Sequence, residues 1–169
     1  MSSIGTRDMY VGKVIPLHDG AASQVLLAWR PALAETVLCE PMEALTEATV
    51  TIAAELRDRI AQARTQGYAV SSGERPDSAS GIAAPVFDAQ GDIVGALSVS
   101  GPTLRMPPHL CRAWVDYPVG CAEKTTRTMG GHPPARSAHA GRHAHRQWSA
   151  STSKTSPGRG VSSNRASCD

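Results

Sequence analysis

The chain has 169 residues, room for one ordinary domain or a small domain plus a tail, and its 41% hydrophobic content includes only 4% aromatics. A core must therefore be built mostly from Ala, Val, Leu and Ile. The net charge of +2 is uneven: residues 1–131 carry 11 Lys/Arg against 14 Asp/Glu, whereas residues 132–169 carry six Lys/Arg, one Asp and four of the six His. No stretch approaches the roughly 20 apolar residues of a bilayer span, and the opening MSSIGTRDMY lacks the apolar run of a secretion signal. Cys39, Cys111, Cys121 and Cys168 form no C-x-x-C pair and no zinc spacing, so reduced thiols in a cytoplasmic protein are expected.

Residues 1–9 are polar and carry no pattern. Residues 11–17, VGKVIPL, read as a strand limited by Pro16. A turn of small residues follows at 18–23. The continuous run Val25, Leu26, Leu27 and Ala28 then predicts a buried helix over 24–29, stopped before Pro31. A second short helix is expected over 32–39. The clearest helix covers 51–66, with Ile52, Leu56 and Ile60 at i, i+4 and i+8, Thr51 as N-cap and Gly67 just past its end.

Residues 68–72 read as a strand. Residues 81–87 and 93–100 read as a β-hairpin about the turn Asp88-Ala89-Gln90-Gly91. Strict alternation puts Ile93, Leu97 and Val99 on one face of the second strand, and Val94, Ala96, Ser98 and Ser100 on the other. A terminal helix opens at Pro107 or Pro108, should kink or break at Pro118, and resumes over 122–129. From His132 onward the sequence is rich in Ser, Arg, His, Gly and Pro, and reads as a disordered basic tail. The elements add up to an α+β domain with a mostly antiparallel sheet flanked by helices.

Two features point to a binding site. Gly20-Ala21-Ala22-Ser23 opens a helix with residues too small to cover its backbone, and free N–H groups at a helix start favour an anion. Ser98 and Ser100 leave the same strand face about 7 Å apart, a spacing that lets both donate to one small carboxylate or phosphate. The competing reading is that the small residues serve close packing and the serines bond to backbone. Glu74 reads as a solvated loop charge, with a ligand-orienting or helix-capping role as the alternative. His139, His143 and His145 have chelating spacing but sit in the polar tail. Nothing resembles a nucleophile, base and acid set, and no cofactor, metal or enzymatic activity is expected.

These residues fall into a recognisable pattern. The segment from Val11-Gly12 through Pro16-Leu17-His18-Asp19-Gly20-Ala21-Ala22-Ser23 to Leu26-Leu27-Ala28 resembles an element of IclR-type transcriptional regulators. So does the stretch Leu56, Ile60, Arg64, Gly67-Tyr68-Ala69 and Glu74. The block from Gly81-Ile82-Ala83-Ala84-Pro85-Val86-Phe87-Asp88 through Ala96-Leu97-Ser98-Val99-Ser100-Gly101-Pro102 to Arg105 is the most specific match.

The resemblance implies a GAF-like effector-binding domain over residues 10–131, after a remnant at 1–9 and before the tail at 132–169. It implies a small carboxylate or aromatic-acid effector held at Ala21, Ala22, Ser71, Gly81, Ser98 and Ser100. Some members carry an acidic residue and a cysteine at the positions of Ser71 and Gly81. It also implies a homo-oligomer that contacts DNA only through a winged helix-turn-helix domain. No such domain precedes residue 10, so the chain is expected to start inside the effector domain. Two alternatives remain at this level: an interaction module forming mixed oligomers with a full-length relative, or a non-functional remnant. A thiol enzyme using Cys39 or Cys111 is a third reading, with no nearby Lys or His pattern behind it.

Overall fold

The computed structural model describes residues 15–75 and 79–134. Three helices come first: α1 (Ala21–Trp29), α2 (Pro31–Cys39) and α3 (Ala53–Gln66). Strands β1 (Ala69–Ser72), β2 (Ala79–Phe87) and β3 (Ile93–Pro102) follow, then α4 (Pro108–Ala113) and α5 (Asp116–Thr128). The strands form one antiparallel sheet in the order β1-β2-β3. Among the described residues, no helix is long and apolar enough to cross a membrane.

The central strand explains the layering. Eight of the nine residues of β2 are buried, as expected of a strand covered on both faces. On one face Ala83 and Phe87 pack with Ala21, Val25 and Ala28 of α1 and Ala63 of α3. On the other, Ile82 meets Met106, Cys111 and Val115, while Ala84 and Val86 meet Ala122 of α5. Helix α1 lies along the sheet from the Ser71 end, where its first amide is bonded, to the Phe87 end. There Trp29 meets the Phe87 ring edge-on at 5.6 Å. With so few aromatics most of the remaining core contacts are made by Ala, Val, Leu and Ile, with Met106 and Cys111 among them.

The hairpin forms as its turn chemistry requires. Asp88 Oδ1 accepts the N–H groups of Gln90 and Asp92, each at 2.9 Å, and Gly91 adopts a φ of 81°. One departure from simple alternation follows. Val86 pairs with Gly95 but Phe87 pairs with Ile93, so Val94 is an extra residue in β3. This β-bulge moves Ile93 to the α1 face, where it joins Val25 and Phe87 in the core. Ile93 thus shares a face with Ala96, Ser98 and Ser100, not with Leu97 and Val99. Side-chain parity is counted through the ladder, and one unpaired residue reverses it.

Other local expectations are also corrected. Helix α1 begins at Ala21, three residues before the start expected at Gln24, because Gly20 turns the chain into it with a φ of 85°. Ile52, not Thr51, is the N-cap of α3; it is 62% exposed and lies off the apolar stripe that Leu56 and Ala63 bury. Gly67 ends α3 in the left-handed region, its N–H donating to the Ala63 carbonyl at 2.9 Å. Pro118 does not break a helix. The break falls earlier, between α4 and α5, and Pro118 occupies the first turn of α5, where no intrahelical donor is needed. Of the strand expected over 11–17, residues 15–17 are irregular or in a turn, and 11–14 lie outside the described residues. His132 bonds the Asp88 carbonyl through its N–H at 3.2 Å, so 132–134 pack on the hairpin turn. The tail expected beyond them, with His139, His143 and His145, lies outside the described residues.

Candidate functional site

The register of the sheet brings most of the candidate residues together. Ser71 of β1, Gly81 of β2 and Ser100 of β3 form one cross-strand row, and Ala69, Ala83 and Ser98 form the next row on the same face. Helix α1 lies over this face, with Ala22 and Leu26 of the helix and Ala96 of β3 packed against the same core cluster. A Cβ placed on Gly81 would lie 3.5 Å from the Ser100 Cβ and 3.9 Å from the Ser71 Oγ, in ordinary contact with both. Ser71 is buried, whereas Ser98 and Ser100 are exposed on the outer strand.

The start of α1 is more occupied than its sequence implies. The Ala21 N–H donates to the Ser71 Oγ at 3.0 Å. That bond gives Ser71 a backbone partner. The Gly20 N–H donates to Glu74 Oε2 at 2.9 Å, and the Gln24 N–H closes the first turn on the Gly20 carbonyl at 3.2 Å. Of the first-turn amides without an intrahelical partner, those of Ala22 and Ser23 have none among the described residues.

Glu74 overturns its reading as a solvated loop charge. Its side chain is 2% exposed and lies between three elements. Besides the Gly20 bond, Oε1 accepts Arg59 Nη1 of α3 at 2.7 Å, and Arg59 Nη2 reaches Glu55 at 2.8 Å. The amide of Gln24 donates to Oε2 at 3.5 Å. The Glu74 carbonyl accepts Thr49 Oγ1 at 2.7 Å, and the Gly73 carbonyl accepts Thr46 Oγ1 at 2.8 Å. Burial raises the Glu74 carboxyl above the usual carboxylate range. The Gly20 amide and the Arg59 charge oppose that shift, and nearby Asp19 adds to it. The sequence signal lay in the E of the family stretch; burial came from α1 and α3, far away along the chain.

A second ion pair flanks the turn: Arg75 Nε donates to Asp19 Oδ2 at 2.7 Å, with Asp19 1% exposed. His18 Nε2 donates to the Glu43 carbonyl at 3.0 Å and ties the segment before α3 to the turn. Among the described residues no three His, Cys, Asp or Glu side chains are grouped to hold a metal. Cys39 is exposed and Cys111 buried, both as free thiols, and burial pushes the Cys111 thiol up, away from the thiolate a nucleophile needs.

Comparison with known proteins identifies relatives over most of the described residues. Residues 4–124 match the family model described as bacterial transcriptional regulator IclR C-terminal. The transcriptional regulator KdgR of Escherichia coli is 35% identical over 124 residues, covering 72% of this chain and 47% of that protein. The solved C-terminal domain of E. coli KdgR is similar at a TM-score of 0.60 and 31% identity, covering 72% of this chain and 74% of that one. An IclR homolog from Microbacterium hydrocarbonoxydans, solved with 4-hydroxybenzoate bound, has a TM-score of 0.54 and 28% identity, covering 68% of this chain and 47% of that one. The chain spans about half the length of the curated relatives it matches.

Proposed function

The chain belongs to the IclR family of bacterial transcriptional regulators, carrying the family's C-terminal domain, and from that premise we propose that it senses a small organic acid between the start of α1 and the outer strand β3. It is a regulator's domain and not an enzyme. The observation that carries the reading is the row Ser71, Gly81 and Ser100 beneath the first turn of α1, with Ser98 beside it. The Ala22 and Ser23 amides supply two donors at the positive end of the helix dipole, which suits a carboxylate. Ser98 and Ser100 supply hydroxyls that donate or accept, which suits a hydroxyl or second oxygen on the same ligand. A relative that binds 4-hydroxybenzoate supports an aromatic acid as one class to test.

A thermal melt with and without benzoate, 4-hydroxybenzoate and small aliphatic carboxylates tests the reading. A ligand at 100 times its Kd adds about 2.7 kcal/mol to stability. The double change of Ser98 and Ser100 to Ala should remove that response and leave the unliganded melt almost unchanged, because both side chains are exposed. Retained affinity in the double variant would sink the assignment. Self-association and a cytoplasmic location complete the proposal. Leu104, 95% exposed, and Tyr117, 70% exposed, are large side chains that a second copy would cover if they fall within its contact. Sedimentation of a strictly monomeric chain would count against it. DNA contact, on this reading, belongs to a winged-helix domain and not to the residues described above.

A further inference from the structure

We propose that Glu74 is the positioning residue of the acid site: its carboxylate fixes the first turn of α1 against the sheet and claims the Gly20 amide, so an incoming acid is held further on, at Ala22 and Ser23. The inference rests on reading that turn as the acid's seat. A helix start attracts one carboxylate most strongly at its first free amides. Here the protein has placed its own there: Glu74 Oε2 takes the Gly20 N–H at 2.9 Å, and the neighbouring Ala21 N–H is taken by Ser71. The ligand is therefore offered what remains.

The carboxylate is held from every side. Arg59 of α3 pairs with its other oxygen, Gln24 of α1 reaches the same oxygen as Gly20, and Thr49 fixes its backbone. The charged groups facing it are Arg59 and Glu55 of α3, with Asp19 and Arg75 beside the turn. Gly20 gives the turn its path. Its φ of 85° favours glycine, and a Cβ there would lie 3.0 Å from Arg75 Nη2, so the chain can enter α1 along this path without a side chain in the way. Moving Glu74 would move the amides on which the acid depends, although Glu74 itself touches no ligand.

The test uses the intact, isotopically labelled chain and reads the amide signals of Gly20 to Gln24 during titration with benzoate, 4-hydroxybenzoate, 3-hydroxybenzoate and acetate. In the parent chain, the acid that binds should shift Ala22 and Ser23 more than Gly20. Glu74→Ala should weaken that acid by roughly tenfold or more, as expected for losing a charged hydrogen-bond partner, and move the largest shift to Gly20. Glu74→Gln, whose amide oxygen still accepts the Gly20 N–H, should bind within about threefold of the parent. A purely structural role would lower affinity without moving the signal. If Glu74→Ala does not melt cooperatively, Glu74→Asp takes its place, since the shorter carboxylate retreats from Gly20 and should cause the same migration. Parent-like affinity and an unchanged amide pattern in these variants would overturn the positioning role and leave the site standing. A parent chain in which no acid perturbs Ala22 or Ser23 would remove the site, and this role with it.

Discussion

Glu123 is a buried charge with little compensation. It is 2% exposed on α5, its Oε1 has no hydrogen-bond partner, and its nearest cation, Arg127, lies 3.7 Å from Oε2. Burial raises its carboxyl above the usual value, and Arg127 offsets this only in part. A raised native pKa means that the folded state binds the proton more tightly than the unfolded chain. The stabilisation is complete below the unfolded value and is lost as pH climbs through the native one. Glu74 acts in the same direction. Glu123→Gln should therefore melt higher than the parent at pH 7 and show a flatter decline of melting temperature from pH 4 upward. An identical pH profile would show that Glu123 keeps an ordinary pKa. Neither burial was visible in the sequence. Glu74 stands between Gly73 and Arg75, Glu123 beside Lys124, and local polarity reads as solvent; packing from distant elements decided otherwise.

At the level of elements, period and turn chemistry located the helices and the hairpin, while the face of β3 was legible only in part. The pairs Leu97 with Val99 and Ser98 with Ser100 follow from alternation alone. Which pair faces α1 depends on Val94, whose place as the bulged residue leaves no mark in its side chain. Without the bulge, regular pairing from Phe87 and Ile93 would turn Ser98 and Ser100 towards α4 and α5, and Leu97 and Val99 towards α1. Deleting Val94 removes the extra residue itself, so Ile93, Ala96, Ser98 and Ser100 keep the α1 face in a now regular ladder, and the response to acid should survive the deletion. A deletion variant that melts cooperatively but no longer responds to acid would show that this residue count does not set the face. Pro118 teaches a related lesson: a proline marks a helix boundary, but which side of it the boundary falls on depends on whether the residue lies in a first turn.

For the molecule as a whole, the sheet with α1 and α3 on one side and α4 and α5 on the other is held by few large side chains. Phe87 is 1% exposed and takes Trp29 at its edge, while Arg64 stacks 4.9 Å from the Trp29 ring. Phe87→Ala should cost about 3–5 kcal/mol, a large share of the 5–15 kcal/mol typical of a domain. Urea unfolding should show a much lower midpoint, and a midpoint shift worth less than about 1 kcal/mol would mean the cavity collapses. The family pattern was legible because its residues cluster where backbone is tightly constrained: Gly20 in its left-handed turn, Gly67 ending α3, and the small residues of β2 beneath α1. The final described residues have one more consequence. They lie along the hairpin turn, where His132 bonds Asp88 and Pro134 faces Gly91. That turn is at the far end of β2 from Gly81. A fluorophore or surface tether joined after Pro134 would leave the domain at the pole opposite Ser71 and Ser100, so an immobilised chain should report acids as freely as one in solution.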